Sequence, residues 1–345
     1  MSPDPPAAGS GQFVADEPVA STSTSSSSPP SAVAPPLAPQ SSGDSNSIPL
    51  SERQLSDLTD LEIASLTQQI KAESANVRPL IGALEPLERF KHEYDSERVR
   101  GKIEWLGKSG WTGLRRSRGD GDCFYRSFAF SFLERLVPLP PSSAQLSLAK
   151  IESLLPLLDQ AWNLVVSYSG FAKDIYQDFY EPMRGLLVAL GSNDRSKRTA
   201  THRPASATLE ASFNDPEVSN SIVVFLRLLT SAYLRANADD FVPFLFALDD
   251  DPRFFEGGVP TMEQFCGFHV EAVNKEADHV QITALSRALR IGLRIAYLDQ
   301  STGKEGEVGE VDFVEFEVEG EEKTGVERLD GALLYTVNHY DVMYR

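Results

Sequence analysis

The stretch RSRGDGDCFYRSFAFSFLERL, residues 116–136, sets a cysteine between a turn built on Gly119 and Gly121 and a run of aromatics. Phe124, Phe128, Phe132, Leu133, Leu136 and Val137 recur at three- and four-residue separations, which predicts a helix over 123–137 with an apolar stripe facing a core. Cys123 then stands at the helix N-terminus, where unpaired N–H groups and the positive end of the helix dipole favour a thiolate over a thiol. The two glycines permit positive φ, so successive N–H groups of the turn can converge on a concavity suited to an oxyanion. Free cysteine is also among the most buried residue types. The stretch by itself therefore leaves two readings, a nucleophile or a small apolar plug.

Composition narrows the classes. Of 345 residues 41% are hydrophobic, enough for a sizeable core, yet no apolar run approaches the roughly 20 residues a membrane-spanning helix needs. The N-terminus lacks the charged-then-apolar order of a signal peptide, so the expected location is cytoplasmic or nuclear. Cys123 and Cys266 are the only cysteines, which excludes a disulfide framework and leaves both thiols free. A formal charge of -18 without a large basic cluster argues against nucleic acid and fits a basic protein partner better. Eleven of the acids lie in 301–330, read as solvated surface.

Residues 1–48, rich in Ser, Pro, Ala and Gly, carry too few large apolar groups to offset folding entropy and read as a disordered tail. Leu55, Leu58, Leu66 and Ile70 predict an amphipathic helix over 51–74, and Pro79, Gly82 and Pro86 interrupt it before shorter helical pieces up to Leu106. The domain organisation expected is a tail over 1–48, a helical region over 49–106 and a main domain over 107–345. In that domain helices are predicted over 123–137, 145–167, 171–190, 216–235, 261–273 and 279–290, with the polar stretch 191–212 as a surface loop. Strands are predicted at 112–118, Leu293–Leu298, Val311–Val318 and Leu333–Met343, all but the first rich in β-branched or aromatic residues. The expected fold class is α/β of the α+β kind, a small twisted sheet flanked by helices.

A cysteine nucleophile needs a base, and five histidines are available. His92, His202 and His269 read as surface or packing residues, and His279 follows a helix-capping Asp278. His339 differs because it stands in LLYTVNHYDVMYR on the last predicted strand. Alternation along a strand puts Asp341 on the same side, where its carboxylate can receive the imidazole N–H and fix the tautomer. Cys266 reads as a structural thiol. Cys266 and His269 make only a C-x-x-H pair, short of a zinc site, and no phosphate-binding glycine motif is present.

Together these residues resemble the ovarian-tumour (OTU) class of cysteine deubiquitinases, and within it the otubain family. The signature is Asp120, Gly121, Asp122 and Cys123 opening a helix, followed far downstream by His339 on a strand. Residues 221–245, 254–266, 276–289 and 333–345 are also similar to otubain segments in the same order, and the resemblance covers roughly 85–345. It implies the OTU cysteine-protease fold and hydrolysis of ubiquitin–lysine isopeptide bonds, with preference for the polyubiquitin linkage that targets proteins to the proteasome. It further implies Cys123 as nucleophile, His339 as general acid/base, Asp341 as its orienting group and Asp120 in the loop that shapes the oxyanion hole. No metal or organic cofactor is implied. The implied partners are ubiquitin, polyubiquitin chains and ubiquitin-conjugating enzymes, met by a monomer, with no nucleic acid and no membrane.

Two positions depart from the family pattern. Asp122 stands where many otubains have Asn, and the extra carboxylate is expected to raise the Cys123 thiol pKa. Asn338 stands where they have Gly, with an expected effect on loop flexibility beside His339. Two further readings remain: a non-catalytic module that binds ubiquitin or a conjugating enzyme on the same fold, and a different cysteine hydrolase with the same Cys…His…Asp order.

Overall fold

The computed structural model describes residues 78–137, 144–168, 173–191, 205–245, 261–298, 309–316 and 332–345. The expected tail over 1–48, the helix over 51–74, most of the acidic 301–330 stretch and His202 lie outside the described residues.

In chain order the first elements are β1 (Ile81–Pro86), α1 (Leu87–Lys91), α2 (Glu97–Lys108), β2 (Gly113–Ser117) and α3 (Cys123–Glu134). A helical series follows: α4 (Ala144–Tyr168), α5 (Lys173–Gly191), α6 (Ala205–Phe213), α7 (Pro216–Ala236), α8 (Ala238–Leu245) and α9 (Met262–Phe265). α9 runs into a π-helical stretch, Cys266–Glu271, and the rest is α10 (His279–Leu289), β3 (Leu293–Tyr297), β4 (Asp312–Phe316), β5 (Ala332–Thr336) and β6 (His339–Tyr344).

The strands form one six-stranded sheet in the order β1-β2-β6-β5-β3-β4. Every neighbouring pair is antiparallel except β3 with β5, which is parallel. Alternate residues of each strand enter different cores. Ile295, Leu333, Tyr340 and Val342 join the cluster built on α3, α4, α5 and α7, while Ala296, Leu334 and Met343 join one made with Leu87, Phe90, Val99, Ile103 and Leu106 of α1 and α2. The sheet thus lies between two apolar layers, and strands covered on both faces read as near-continuous apolar runs such as LLYTV. Burying each such Leu, Ile or Val removes it from water at about 1.5–3 kcal/mol, which holds β6 in place from both sides.

Local sequence explains the helix limits. Asp215 caps α7 by accepting from the Glu217 N–H at 2.9 Å, with Pro216 in the first turn. Asp278 and Gln281 form a capping box at α10, and Thr261 and Gln264 do the same at α9. The residues from Cys123 to Leu133 are all buried, so α3 is a central helix enclosed on every side rather than one presenting a single stripe.

Three expectations need correcting. Residues 81–86, read as a break before helical pieces, form the edge strand β1, because Pro86 and Gly82 are tolerated where one strand edge lacks a partner. The polar stretch 191–212 is helical from Ala205, as Leu209 and Phe213 are drawn into the core. Leu333–Met343 is not one strand but the hairpin β5–β6, paired from Ala332↔Met343 to Thr336↔His339 around Val337 and Asn338. Its turn needs Asn338 at φ 56, and Asn is, after Gly, the residue that best tolerates the left-handed region. The departure from glycine at 338 therefore preserves the backbone that the turn requires.

Candidate active site

α3 docks on β6 through the residues that flank the cysteine and the histidine. The Ser127 hydroxyl, one turn beyond Cys123, donates to the Tyr340 carbonyl at 3.0 Å, and the Phe124 ring meets Tyr340 edge-on at 5.3 Å. The central helix and the last strand are thereby locked together where residue 123 faces residue 339.

His339 Nε2 lies 2.8 Å from Asp341 Oδ1, the geometry that strand alternation predicts. The same oxygen accepts from the Ser117 N–H at 2.8 Å, so β2 fixes the carboxylate from the adjacent strand. Asp341 is 1% exposed. Burial lowers the His339 pKa, but hydrogen bonding to Asp341 and Cys123 and the charges of both outweigh it and push the value from 6.5 up to about 10. With Nε2 engaged by Asp341, Nδ1 is the nitrogen left free for a second partner. It lies over Gly119, where an added Cβ would stand 3.6 Å from it.

The turn before Cys123 is held by two arginines buried on different helices. Arg126 of α3 donates to Asp120 Oδ1 at 2.9 Å, and that oxygen also accepts from the Asp122 N–H at 3.0 Å. Arg227 of α7 donates to Asp122 Oδ1 through Nε at 2.9 Å, and to the carbonyls of Gly121 at 3.1 Å and Val270 at 3.0 Å, with its guanidinium 4.5 Å from the Tyr125 ring centre. Asp122, the carboxylate expected to act on the thiol, is paired in this way with Arg227. The expectation that both glycines take positive φ holds for Gly121 alone, at φ 87. A Cβ at Gly121 would stand 2.3 Å from the Asn274 carbonyl oxygen, so the loop after the π-helix lies directly on the turn.

Cys123 is the first residue of α3, at the dipole end expected of it, and is 1% exposed. The sulfur is therefore closed off from solvent, whereas the His339 side chain keeps 21% of its surface. Cys266 is fully buried, its thiol donating to the Ser231 carbonyl at 3.7 Å and pushed up to about 11 by burial. His279 packs on Phe316 and His269 on Phe265. Among the described residues no group of three His, Cys, Asp or Glu side chains could hold a metal, and no helix is long and apolar enough to cross a membrane.

Sequence reasoning missed Ser117, Arg126, Arg227 and Asn274. The arginines had a signal: Arg227 in SIVVFLRLLTS and Arg126 in CFYRSFAF interrupt apolar helical runs, and a charge there must be paired once buried. Asn274 carried none beyond its φ of 60, which only coordinates reveal.

Comparison with known proteins gives the lineage. A family model, Peptidase C65 Otubain, matches residues 73–345. The chain is 32% identical over 276 residues to the OVARIAN TUMOR DOMAIN-containing deubiquitinating enzyme 1 of Arabidopsis thaliana, covering 79% of this chain and 82% of that protein. It is 32% identical over 288 residues to the human ubiquitin thioesterase OTUB1, covering 83% and 90%. A solved structure of h/ceOTUB1 with ubiquitin aldehyde and UBC13~Ub superposes with a TM-score of 0.62 at 26% identity, over 83% of this chain and 98% of that one. A matching structure contains UBCH5B~Ub in place of UBC13~Ub, with a TM-score of 0.63 at 26% identity, over 83% of this chain and 97% of that one. The chain belongs to the Peptidase C65 otubain family.

Proposed function

We propose that this chain is a cysteine-type deubiquitinase that hydrolyses ubiquitin–lysine isopeptide bonds with Cys123, His339 and Asp341. The observation that carries the reading is the 2.8 Å His339–Asp341 contact with Cys123 acting on the same imidazole, in a chain of the otubain family. The raised His339 pKa supports an imidazolium at neutral pH, the partner a thiolate requires.

The Cys123 thiolate attacks the carbonyl carbon of ubiquitin's C-terminal glycine. The oxyanion that forms is met by N–H groups at the start of α3 and in the Asp120–Cys123 turn. His339 gives its proton to the lysine ε-amine as the C–N bond breaks, leaving a thioester on Cys123. Water then loses a proton to His339 and attacks that thioester. The sulfur departs as thiolate and ubiquitin leaves with a free carboxyl group. Asp341 orients the ring through both halves and stabilises its charge. Because the imidazole is the exposed member of the group, the slender glycine-ended tail reaches the sulfur along the His339 edge.

Ubiquitin and ubiquitin-conjugating enzymes are the proposed partners, since the matched OTUB1 structures contain ubiquitin aldehyde with UBC13~Ub or UBCH5B~Ub. The catalytic domain is proposed to extend beyond the expected 107–345 to take in residues 81–106, because β1, α1 and α2 share its sheet and core. The proposed linkage preference, the proteasome-targeting chain, rests on family resemblance. Incubation with di-ubiquitins of each lysine linkage tests these readings. Cleavage of one linkage by wild type and none by Cys123→Ala is expected. Binding of ubiquitin without cleavage would instead favour the non-catalytic module.

A further inference from the structure

Asp122 occupies the N-cap of α3, and Asp at that position ordinarily turns its carboxylate onto the N–H groups of the first turn. Here it makes no such bond. Its carboxylate, 9% exposed, is drawn off instead by groups from two other elements. Arg227, fully buried, donates to Oδ1 through Nε and Nη2. The Asn274 N–H donates to Oδ1 at 3.1 Å. The orientation of the Asn274 amide that satisfies its neighbours sends the nitrogen to Asp122 Oδ2 at 3.3 Å and to the Asp120 carbonyl at 3.2 Å. The Asn274 backbone, at φ 60, rests against Gly121.

The consequence concerns the space beside Cys123. A carboxylate turned onto the start of α3 would compete for first-turn N–H groups and set a negative charge beside the place where another must form. We propose that Asn274 and Arg227 are positioning residues that hold the Asp122 carboxylate off the start of α3, so that its N–H groups serve the substrate's carbonyl oxygen. The inference rests on Cys123 being the nucleophile. It also explains how this chain accommodates Asp at 122: an acceptor-only side chain is matched by donors from a guanidinium, a backbone N–H and an amide.

The test is a polarity exchange between positions 122 and 274, read with a fluorogenic ubiquitin C-terminal amide so that kcat and KM separate. Asn274→Asp removes the amide donor and sets a second carboxylate against the first. We expect kcat to fall about tenfold or more with KM within about twofold, the pattern of a group acting on the transition state. Adding Asp122→Asn to that variant restores a donor–acceptor pair of opposite sense, and kcat should return to within about threefold of Asp122→Asn alone. An unchanged kcat in Asn274→Asp, or a double variant no faster than Asn274→Asp, overturns the proposal. Thermal melts accompany each variant. Should Asn274→Asp fail to fold, Asn274→Ala carries the same test with an expected loss in kcat of about threefold, and an unchanged kcat overturns it. Wild type without turnover, or turnover surviving Cys123→Ala, would overturn the nucleophile assignment itself, and those outcomes are distinct from a failed exchange.

Discussion

The imidazole of His339 holds its proton far more tightly than a free histidine because Asp341 and Cys123 both act on it. His339→Ala removes the general acid and base together, and kcat should fall by about 10²–10⁴-fold in ubiquitin amide turnover. Asp341→Ala leaves the imidazole present but unoriented and should retain a measurable remainder; equal, negligible effects would mean the wrong base has been named. Since the folded-state pKa is raised from 6.5 to about 10, the group contributes stability fully below pH 6.5, and that contribution is lost as pH rises through about 10. Thermal melts across pH 6–11 should therefore show wild type losing more stability on the alkaline side than His339→Ala. Parallel curves would contradict the assigned interaction.

Among the elements, the turn over 119–122 and the hairpin tip set the geometry. Gly121→Ala forces a Cβ onto the Asn274 backbone from a left-handed conformation. It should cost more than the roughly 1–2 kcal/mol of left-handed strain alone and lower both melting temperature and turnover. Asn338→Gly keeps the φ 56 conformation available and should change stability little, whereas Asn338→Val should lose about 1–2 kcal/mol. Chemical denaturation of the two variants decides this, and equal stabilities would show that the turn relaxes. Much at this scale was legible in sequence. The periodic helices, the cap at Asp278 and the pairing of His339 with Asp341 follow from local chemistry that one segment contains. What was not legible depends on contacts between distant segments. Residues 81–86 become a strand only because β2 offers an edge, and the hairpin within 333–343 appears only when residue 338 must turn left-handed. The close approach of the Asn274 backbone to Gly121 likewise joins segments far apart in the chain, and nothing near residue 121 encodes it.

On the scale of the molecule, the sheet holds two functions apart. β6 carries the histidine and the carboxylate, while the apolar layers on its two faces keep it in register. Leu106 is fully buried in the layer made with α1 and α2, a different apolar cluster from the one that holds Cys123. Leu106→Ala should cost about 2–5 kcal/mol in unfolding free energy while leaving kcat/KM close to wild type well below the melting temperature. A proportional loss of activity would show that the layer shapes the site as well as supporting it. The proposed hydrolysis depends most on the sulfur at residue 123 meeting ubiquitin's C-terminus. The direct measurement is reaction with ubiquitin carrying a C-terminal electrophile, followed by peptide mass mapping of the adduct. Attachment at Cys123 in wild type, lost in Cys123→Ala and kept in Cys266→Ala, is the predicted result; attachment at Cys266, or none at all, would contradict it.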